Sequence, residues 1–278
     1  MRQADGLTAM RNILAAVVVV ALLPVLPARA DKLIFGNEGT YPPFSVIDPS
    51  GRLTGFEPEL AREMCKRLNA DCEIIAMDLK ALIPAMLQGK LDGITTQLTP
   101  TAERKERVLF SRVILQNNYR WVVPVDSHYQ YTKDGLKGVK VGLQRGGAAG
   151  KFVADKFGDA VQQVWYDNPD QIKLELLNHR LDITFGAEIN WRLNLIDTAE
   201  GKDWKEDGES TWVGNPDAPP EERGLGWVVR KTDGQPLLDR MNAALTAMID
   251  DCTYTKIREK YVKFQILPAE AHCLKPSG

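Results

Sequence analysis

The sequence predicts an α/β protein of two lobes, in which two open α/β sheets are joined by two hinge strands. From Asp31 onward, apolar strands alternate with amphipathic helices. The order strand–helix–strand–helix–strand occurs twice, and the segments "AMLQGKLDGIT" (85–95) and "LELLNHRLDIT" (174–184) occupy matching places in the two halves. Crossovers of this kind bring strands together in parallel, so each half predicts a largely parallel sheet.

The first half begins with an apolar strand, and its first helix has one apolar face. In "FEPELAREMCKRL" (56–68), Phe56, Leu60, Met64 and Leu68 recur at four-residue steps, as they would along one side of a helix. The predicted elements of this half are a strand over 32–39, a helix over 56–68, a strand over 72–77, a helix over 81–89 and a strand over 91–98.

The second half repeats this order and is bracketed by predicted hinge strands at 119–125 and 225–230. Segment 197–224 is polar and rich in Pro and Gly, which predicts a surface excursion. The predicted elements are strands over 139–144, 161–167 and 181–188, and helices over 151–158, 169–180 and 236–262. The predicted division is a signal peptide over 1–30, lobe one over 31–121 plus 226–278, and lobe two over 122–225.

The N-terminus predicts export. Arg2 and Arg11 precede the apolar run "ILAAVVVVALLPVL", and Ala28 and Ala30 form an A-x-A cleavage site. A charged region, a short apolar core and such a site are typical of a secretory signal peptide, so we expect cleavage before Asp31 and a periplasmic protein. An uncleaved N-terminal anchor is the alternative.

Charge and composition exclude several function classes. Loss of residues 1–30 removes three arginines and one aspartate, which changes the net charge from −2 to −4. No basic face emerges, which argues against nucleic acid as a partner. The three histidines show no His-x-x-His spacing and the cysteines no Cys-x-x-Cys spacing, so we expect no metal site and no cofactor.

All four cysteines lie in the part of the chain predicted to be exported, where disulfides form. Cys65 and Cys72 frame the short segment "CKRLNADC", and Cys252 and Cys273 are placed to tie the C-terminal tail to the last long helix. We expect these two pairs to be structural disulfides; four free thiols are the alternative.

The stretch "VKVGLQRGGAAGKF" (139–152) runs from a strand through glycines into a helix. It does not match a phosphate loop, because Arg145 stands where glycine is required and Phe152 where a hydroxyl is required. A helix N-terminus after such a turn still presents free backbone N–H groups. The stretch therefore predicts a site for an anionic group, and a carboxylate is a candidate.

Several motifs in order resemble one known family. The motifs are "GNEGTYPPF", "GRLTGFEPELAREMCKRLNADCE", "ALIPAMLQGKLDGITTQLTPTAERKE" and "CTYTKIREKYVKFQI". Over nearly all of 31–267 the chain resembles periplasmic amino-acid-binding proteins of ABC importers, in particular the lysine/arginine/ornithine- and histidine-binding group. The resemblance implies a two-lobed Venus-flytrap fold. It also implies a monomeric, non-catalytic receptor that closes on an amino acid and presents it to membrane permease subunits.

The resemblance also assigns site residues. Arg104 matches the arginine that holds the ligand's α-carboxylate, which a planar guanidinium can grip with two parallel hydrogen bonds. Tyr41 matches the aromatic residue that covers the ligand's aliphatic stem, and Glu38 the acid that meets its side-chain cation. The positions that match polar strand-end and loop contacts to the ligand's carboxylate and amino groups are Thr96, Gln97, Thr99, Gln144, Gly147 and Ala148.

Two departures from the family pattern bear on the ligand. Gly147 and Ala148 replace threonines, which leaves backbone N–H groups as the donors there. Ala187 stands where the family has the aspartate that accepts the α-ammonium. Either Glu188 substitutes for that aspartate, or the ligand has no ordinary primary amino group, as in an opine or a betaine. Arg145 would then be available for a second carboxylate.

Three other functions have weaker support in the sequence. A cyclohexadienyl dehydratase resembles the same fold, but Glu38 and Glu188 are the only candidate acids, and Asn190 occupies the position where that family's acid is expected. Trp121, Trp191 and Trp227 could form a cage for a quaternary ammonium, although packing is the expected role of Trp121 and Trp227. A sensory domain is disfavoured because no effector segment follows.

Overall fold

The structure of the protein, a computed structural model, describes residues 31–274. The predicted signal peptide over 1–30 lies outside these residues. Within them, no helix combines the length and the apolar character needed to cross a bilayer.

Thirteen strands and eight α-helices make up this part of the chain. The strands are β1 (Lys32–Asn37), β2 (Thr40–Tyr41), β3 (Ser45–Ile47), β4 (Leu53–Thr54), β5 (Asp71–Ala76), β6 (Gly93–Leu98), β7 (Val108–Phe110), β8 (Tyr119–Pro124), β9 (Lys140–Gln144), β10 (Gln162–Tyr166), β11 (Ile183–Ala187), β12 (Trp204–Thr211) and β13 (Gly226–Arg230). The helices are α1 (Phe56–Arg67), α2 (Leu79–Leu87), α3 (Ala102–Arg107), α4 (Ala148–Phe157), α5 (Pro169–Leu177), α6 (Glu188–Trp191), α7 (Gln235–Asp250) and α8 (Thr253–Tyr261).

The first lobe is built on the sheet β5-β1-β6-β13-β7. β1 pairs in parallel with β5 and β6, whereas β13 runs antiparallel to both β6 and β7. Phe56, Leu60 and Met64 of α1 are fully buried in the core of this lobe. The four-residue spacing read from the sequence thus marks the buried face of this helix.

The second lobe is built on the sheet β10-β9-β11-β8-β12. β9, β10, β11 and β12 run in the same direction, and β8, which pairs antiparallel with both β11 and β12, runs in the opposite one. The expectation that 197–224 is only a surface excursion is wrong for its first part, because β12 pairs with β8 at the sheet edge. Likewise α4 begins at Ala148, three residues before the predicted helix start.

Two segments connect the lobes, and they lie next to the predicted hinge strands rather than within them. β8 pairs wholly in the second sheet and β13 wholly in the first. The chain crosses just before each of them, where Leu115 and Leu225 form an isolated antiparallel bridge. The predicted boundary at residue 121 falls inside β8, so the division is better drawn before Tyr119.

Both expected disulfides are present. Cys65–Cys72 ties the end of α1 to β5, and Cys252–Cys273 ties the start of α8 to the C-terminal turn. His272 lies close to the second pair, but both sulfurs are bound to each other and neither is a thiolate ligand. The two-lobed α/β fold predicted from the sequence is confirmed.

Candidate functional site

A cavity of about 60 Å³ lies where the two lobes meet. The carboxyl ends of β1 and β6 approach it from the first lobe, and those of β9 and β11 from the second. Ligands of open α/β sheets bind outside the carboxyl ends of the strands. The cavity is therefore the candidate ligand site.

Arg104 supplies the cation of the cavity. It lies in α3, a short helix whose first turn is capped by the Thr101 hydroxyl accepting from the Arg104 N–H at 3.3 Å. The guanidinium donates to the Thr99 carbonyl at 3.0 Å and, across the cleft, to the Gly146 carbonyl at 2.8 Å. Burial lowers its pKa, but an arginine keeps its charge in proteins. The group can hold a ligand carboxylate.

Glu38 supplies the anion. It follows β1 directly, is only 6% exposed, and accepts hydrogen bonds from the Gln144 amide of the other lobe and from the Thr40 hydroxyl. Burial raises its pKa from 4.5 to about 7, although the hydrogen bonds and the Arg104 charge oppose this shift. A ligand cation beside Glu38 would favour the ionised carboxylate.

The glycine-rich loop brings a helix N-terminus to the cavity. Gly147 is the N-cap of α4 and offers no side-chain cap, and Gly147, Ala148 and Ala149 all line the cavity. The Gly147 N–H is already donated to the Gln144 carbonyl, at 3.1 Å. The N–H groups of the first helical turn, which have no partner within a helix, are therefore the donors that face a ligand.

Of the three polar residues predicted at the end of β6, two line the cavity. The Thr99 hydroxyl lies 2.6 Å from the Tyr119 hydroxyl. Within residues 31–274, the buried side-chain amide of Gln97 has no hydrogen-bond partner on either its nitrogen or its oxygen. Thr96 does not face the cavity, because neighbouring strand residues point to opposite faces, and its hydroxyl donates to Glu57 at 3.2 Å.

Glu188 does not replace the carboxylate that is missing at position 187. Ala187 lines the cavity, whereas the Glu188 carboxylate is directed toward Arg120, with 3.7 Å between Oε1 and Nε. Its backbone N–H donates to the Asn118 carbonyl at 2.9 Å. The prediction of Glu188 as a ligand-binding residue is therefore not supported by this geometry.

Aromatic side chains form a large part of the cavity wall. Tyr41, predicted from the resemblance, is joined there by Tyr119, Phe185 and Trp191. Trp191 was considered only as part of a three-tryptophan cage, and Tyr119 and Phe185 were missed because nothing in their local spacing distinguishes them from core residues.

The three-tryptophan cage does not form. Trp121 stacks on Tyr131 in the core of the second lobe, with 5.0 Å between ring centroids, and Trp227 is fully buried in the first. Trp121 and Trp227 therefore pack in the cores of the lobes, as expected. Trp191 alone of the three tryptophans lines the cavity.

The lobes make direct contacts around the cavity. Lys80 of the first lobe pairs with Asp167 of the second at 2.6 Å, and Arg145 pairs with the same carboxylate at 3.2 Å. Asn194 of the second lobe donates to the Pro42 carbonyl of the first. Arg145 thus lies at the rim and not among the residues that line the cavity.

Known proteins with similar sequences and structures share this architecture. The profile of the bacterial extracellular solute-binding proteins, family 3, matches residues 33–264. The histidine-binding periplasmic protein of Escherichia coli strain K12 is 31% identical over 243 residues, 86% of this chain and 90% of that protein. The lysine/arginine/ornithine-binding periplasmic protein of the same strain is 31% identical over 264 residues, covering 92% and 98%. The structure of an ancestral arginine-binding protein bound to arginine matches with a TM-score of 0.73 at 31% identity, covering 83% and 98%.

Proposed function

The chain belongs to family 3 of the bacterial extracellular solute-binding proteins, and on that basis we propose that it captures a polar or cationic amino acid by closure of its lobes and delivers it to an ABC permease. The resemblance read from the motifs is thereby confirmed. Its named relatives bind histidine or lysine, arginine and ornithine. Ligands of that type, or an opine, are the candidates for this chain.

One observation supports this proposal most directly. Arg104 and Glu38, a cation and an anion, line one cavity between the lobes, and each also bonds to the opposite lobe. Such a pair suits an amino acid, which carries both charges. Because the bonds across the cleft exist only when the lobes are closed, ligand contacts there would favour the closed state.

The proposal includes the export of the protein and its location in the cell. Residues 1–30 would direct export and be removed, and the mature receptor would act as a periplasmic monomer that docks on membrane permease subunits. The relatives named above are periplasmic binding proteins, which supports this location.

The dehydratase alternative has little support from the cavity. Its chemistry needs a positioned acid beside the substrate. Of the two candidate acids, Glu38 lines the cavity and Glu188 does not. At the position where the dehydratase acid is expected, Asn190 is buried, and its carboxamide oxygen accepts from Asn117 at 3.1 Å. A turnover assay with prephenate and arogenate is the corresponding control, and we expect no product.

The first test is thermal stabilisation of residues 31–278 by a ligand panel. The panel holds the common amino acids, ornithine, octopine, nopaline and betaines, each in large excess. A ligand at about 100 times its Kd should add about 2.7 kcal/mol to the free energy of unfolding. A panel without any stabilising compound, repeated by calorimetry, would contradict the receptor proposal.

Substitution of Arg104 tests the carboxylate grip. Arg104→Lys keeps the charge but loses the paired hydrogen bonds, so we expect the Kd of the ligand found above to rise about 10- to 100-fold. The matched control is Arg107→Lys, on the exposed side of the same helix, which should leave the Kd unchanged. If isothermal titration calorimetry shows the same change in Kd for both substitutions, Arg104 does not hold the ligand's carboxylate.

A further inference from the structure

The charged side chains of the cavity can pair with one cationic group and one anionic group of a ligand. Among the described residues that line it, Glu38 is the one carboxylate and Arg104 the one cationic side chain. A ligand with a single carboxylate and a single cationic nitrogen leaves the closed cavity neutral. A ligand with an additional cation leaves a charge without a partner in a buried site, which is costly.

The wall contributed by the second lobe offers no carboxylate for a primary ammonium group. Around the position of the missing aspartate its residues are Thr184, Phe185, Gly186, Ala187 and Trp191, and none of the other second-lobe residues that line the cavity is acidic. The Thr184 hydroxyl donates to the Gly142 carbonyl at 2.7 Å, so its oxygen is the one side-chain acceptor that these five residues offer to an ammonium. The nearest acid along the chain, at position 188, is directed to Arg120. An ammonium with three N–H donors against this wall would leave donors unpaired, and each buried unpaired donor weakens binding.

The wall instead presents aromatic surface. The Trp191 indole lies against the backbone of Gly186, so closely that a Cβ there would be 1.9 Å from its Nε1. Glycine at this position therefore makes room for the indole beside the cavity. Tyr41 and Tyr119 line the same space. Aromatic faces attract cations without requiring N–H donors, and they suit alkylated ammonium groups best.

The two described cations discussed at the rim are already paired with a carboxylate of the protein. Arg145 and Lys80 both bind Asp167, Lys80 across the cleft and Arg145 from within the second lobe. Gln97, whose amide is unpaired and faces the cavity, is neutral and can donate to the same carboxylate that Arg104 holds. These placements favour a ligand with one carboxylate.

We infer that the ligand is a net-neutral zwitterion of one carboxylate and one N-alkylated ammonium, with the alkylated nitrogen between Glu38 and the aromatic wall and the carboxylate at Arg104. The inference rests on the proposed receptor function, but it sets aside the primary-amine amino acids and the opines as ligands. Trp191 and Ala187 are then the residues that determine specificity, the first by its ring and the second by its lack of a carboxylate.

The test compares compounds that differ only in N-alkylation. Isothermal titration calorimetry of residues 31–278 is run with glycine, N-methylglycine, N,N-dimethylglycine and glycine betaine, and with L-proline and its betaine. L-Arginine, L-lysine, L-histidine, L-glutamine and octopine complete the set. We expect affinity to rise with each methyl group and a betaine to be the tightest ligand of the set.

If L-arginine or another primary amino acid binds more tightly than its N-alkylated competitors, the inference is overturned while the receptor function stands. Tighter binding of octopine also overturns it, because octopine needs a second carboxylate site. Absence of all binding overturns both.

Two substitutions test the wall directly. Ala187→Asp should weaken betaine binding at least tenfold and improve binding of primary amino acids, whereas Ala243→Asp, on the exposed face of α7, should change neither. Trp191→Leu should weaken betaine binding about tenfold, with Trp191→Phe recovering most of it. Circular dichroism verifies that each variant is folded. Unchanged selectivity in folded Ala187→Asp and Trp191→Leu would show that this wall does not contact the ligand.

Discussion

The ionisation of Glu38 makes both the charge of the cavity and the stability of the protein depend on pH. Its carboxyl has a pKa of about 7 in the closed protein and 4.5 ordinarily. Between these values the folded protein holds a proton that the unfolded chain has released, so its contribution to stability falls as pH rises through this window. Above pH 7 the carboxylate is ionised, buried and ready for a cation.

Substitution of Glu38 by glutamine keeps the shape of the side chain and removes its titration. At pH 8 we expect Glu38→Gln to have a higher free energy of unfolding than the wild type, by no more than about 3 kcal/mol, and therefore a higher melting temperature. Near pH 4 the two proteins should be equally stable. Ligand affinity of the wild type should increase as pH rises from 6 to 8, and that of the variant should be low throughout. Thermal melts and calorimetry at these pH values check both. A wild-type affinity that does not vary with pH would mean that the ligand cation does not meet Glu38.

At this scale the resemblance assigned Arg104, Gln97 and Thr99 to the site, and all three line the cavity. Thr96 and Glu188, assigned in the same way, do not line it, since a shift of one residue at a strand end reverses the direction of a side chain. Contact of any of these residues with a ligand stays a prediction. Trp191 was considered only as part of a three-tryptophan cage, because its place beside the cavity depends on the absence of a Cβ five residues earlier, at Gly186, which a one-dimensional pattern does not reveal.

Among the elements, the C-terminal turn is held by a buried ion pair as well as a disulfide. Arg258 of α8 and Glu270 of the turn at Pro268–Cys273 are both almost wholly inaccessible, and they meet at 3.0 Å. Glu270 also accepts from the Thr255 hydroxyl at 2.9 Å and from the Ile266 N–H at 3.2 Å. This network and the Cys252–Cys273 bond fasten the same turn onto α7 and α8.

Removal of one partner should therefore be costly. Glu270→Ala leaves a buried guanidinium unpaired, and we expect it to lower the free energy of unfolding by about 3–5 kcal/mol in urea denaturation. Glu259→Ala removes a largely exposed carboxylate 3.8 Å from the same arginine and should cost less than about 1 kcal/mol. Similar losses for the two would argue that burial is not what makes the pair important.

The predicted elements agree with the structure where the apolar pattern is strong, as in α1, whose buried face includes Phe56, Leu60 and Met64. β12 was missed because it is a polar edge strand: six of its eight residues, KEDGES, are charged, Gly or Ser. Its place is fixed by pairing with β8, a contact that no local pattern encodes.

Across the whole molecule, closure depends on how near the glycine-rich loop comes to the first lobe. Gly146 has φ +78°, and a Cβ there would lie 2.9 Å from Lys80 Cα of the other lobe. The loop can therefore approach only with glycine at this position. The two lobes were predictable from the repeated strand order, but this contact was not, because its partners are far apart in the sequence.

Gly146→Ala should impair closure more than folding. We expect at least a tenfold loss of ligand affinity in calorimetry and a smaller ligand-induced compaction in small-angle X-ray scattering. Gly138→Ala is the matched control, since Gly138 has the same φ of +78° but no atom within 4 Å of the place that an added Cβ would take, so it bears the same backbone strain without the contact. If both variants lose affinity equally, strain rather than closure is responsible.

The place of β13 governs the order in which the two lobes can be completed. It lies between β6 and β7, yet the whole second lobe separates it from them along the chain. A chain that emerges N-terminus first can finish the second lobe, whose strands are contiguous from Tyr119 to Thr211, while the first still lacks an inner strand. The half that is synthesised first is thus finished last. Until Gly226–Arg230 arrives, β6 and β7 have open edges, and this interval is when the nascent protein is most vulnerable to pairing with the wrong strand.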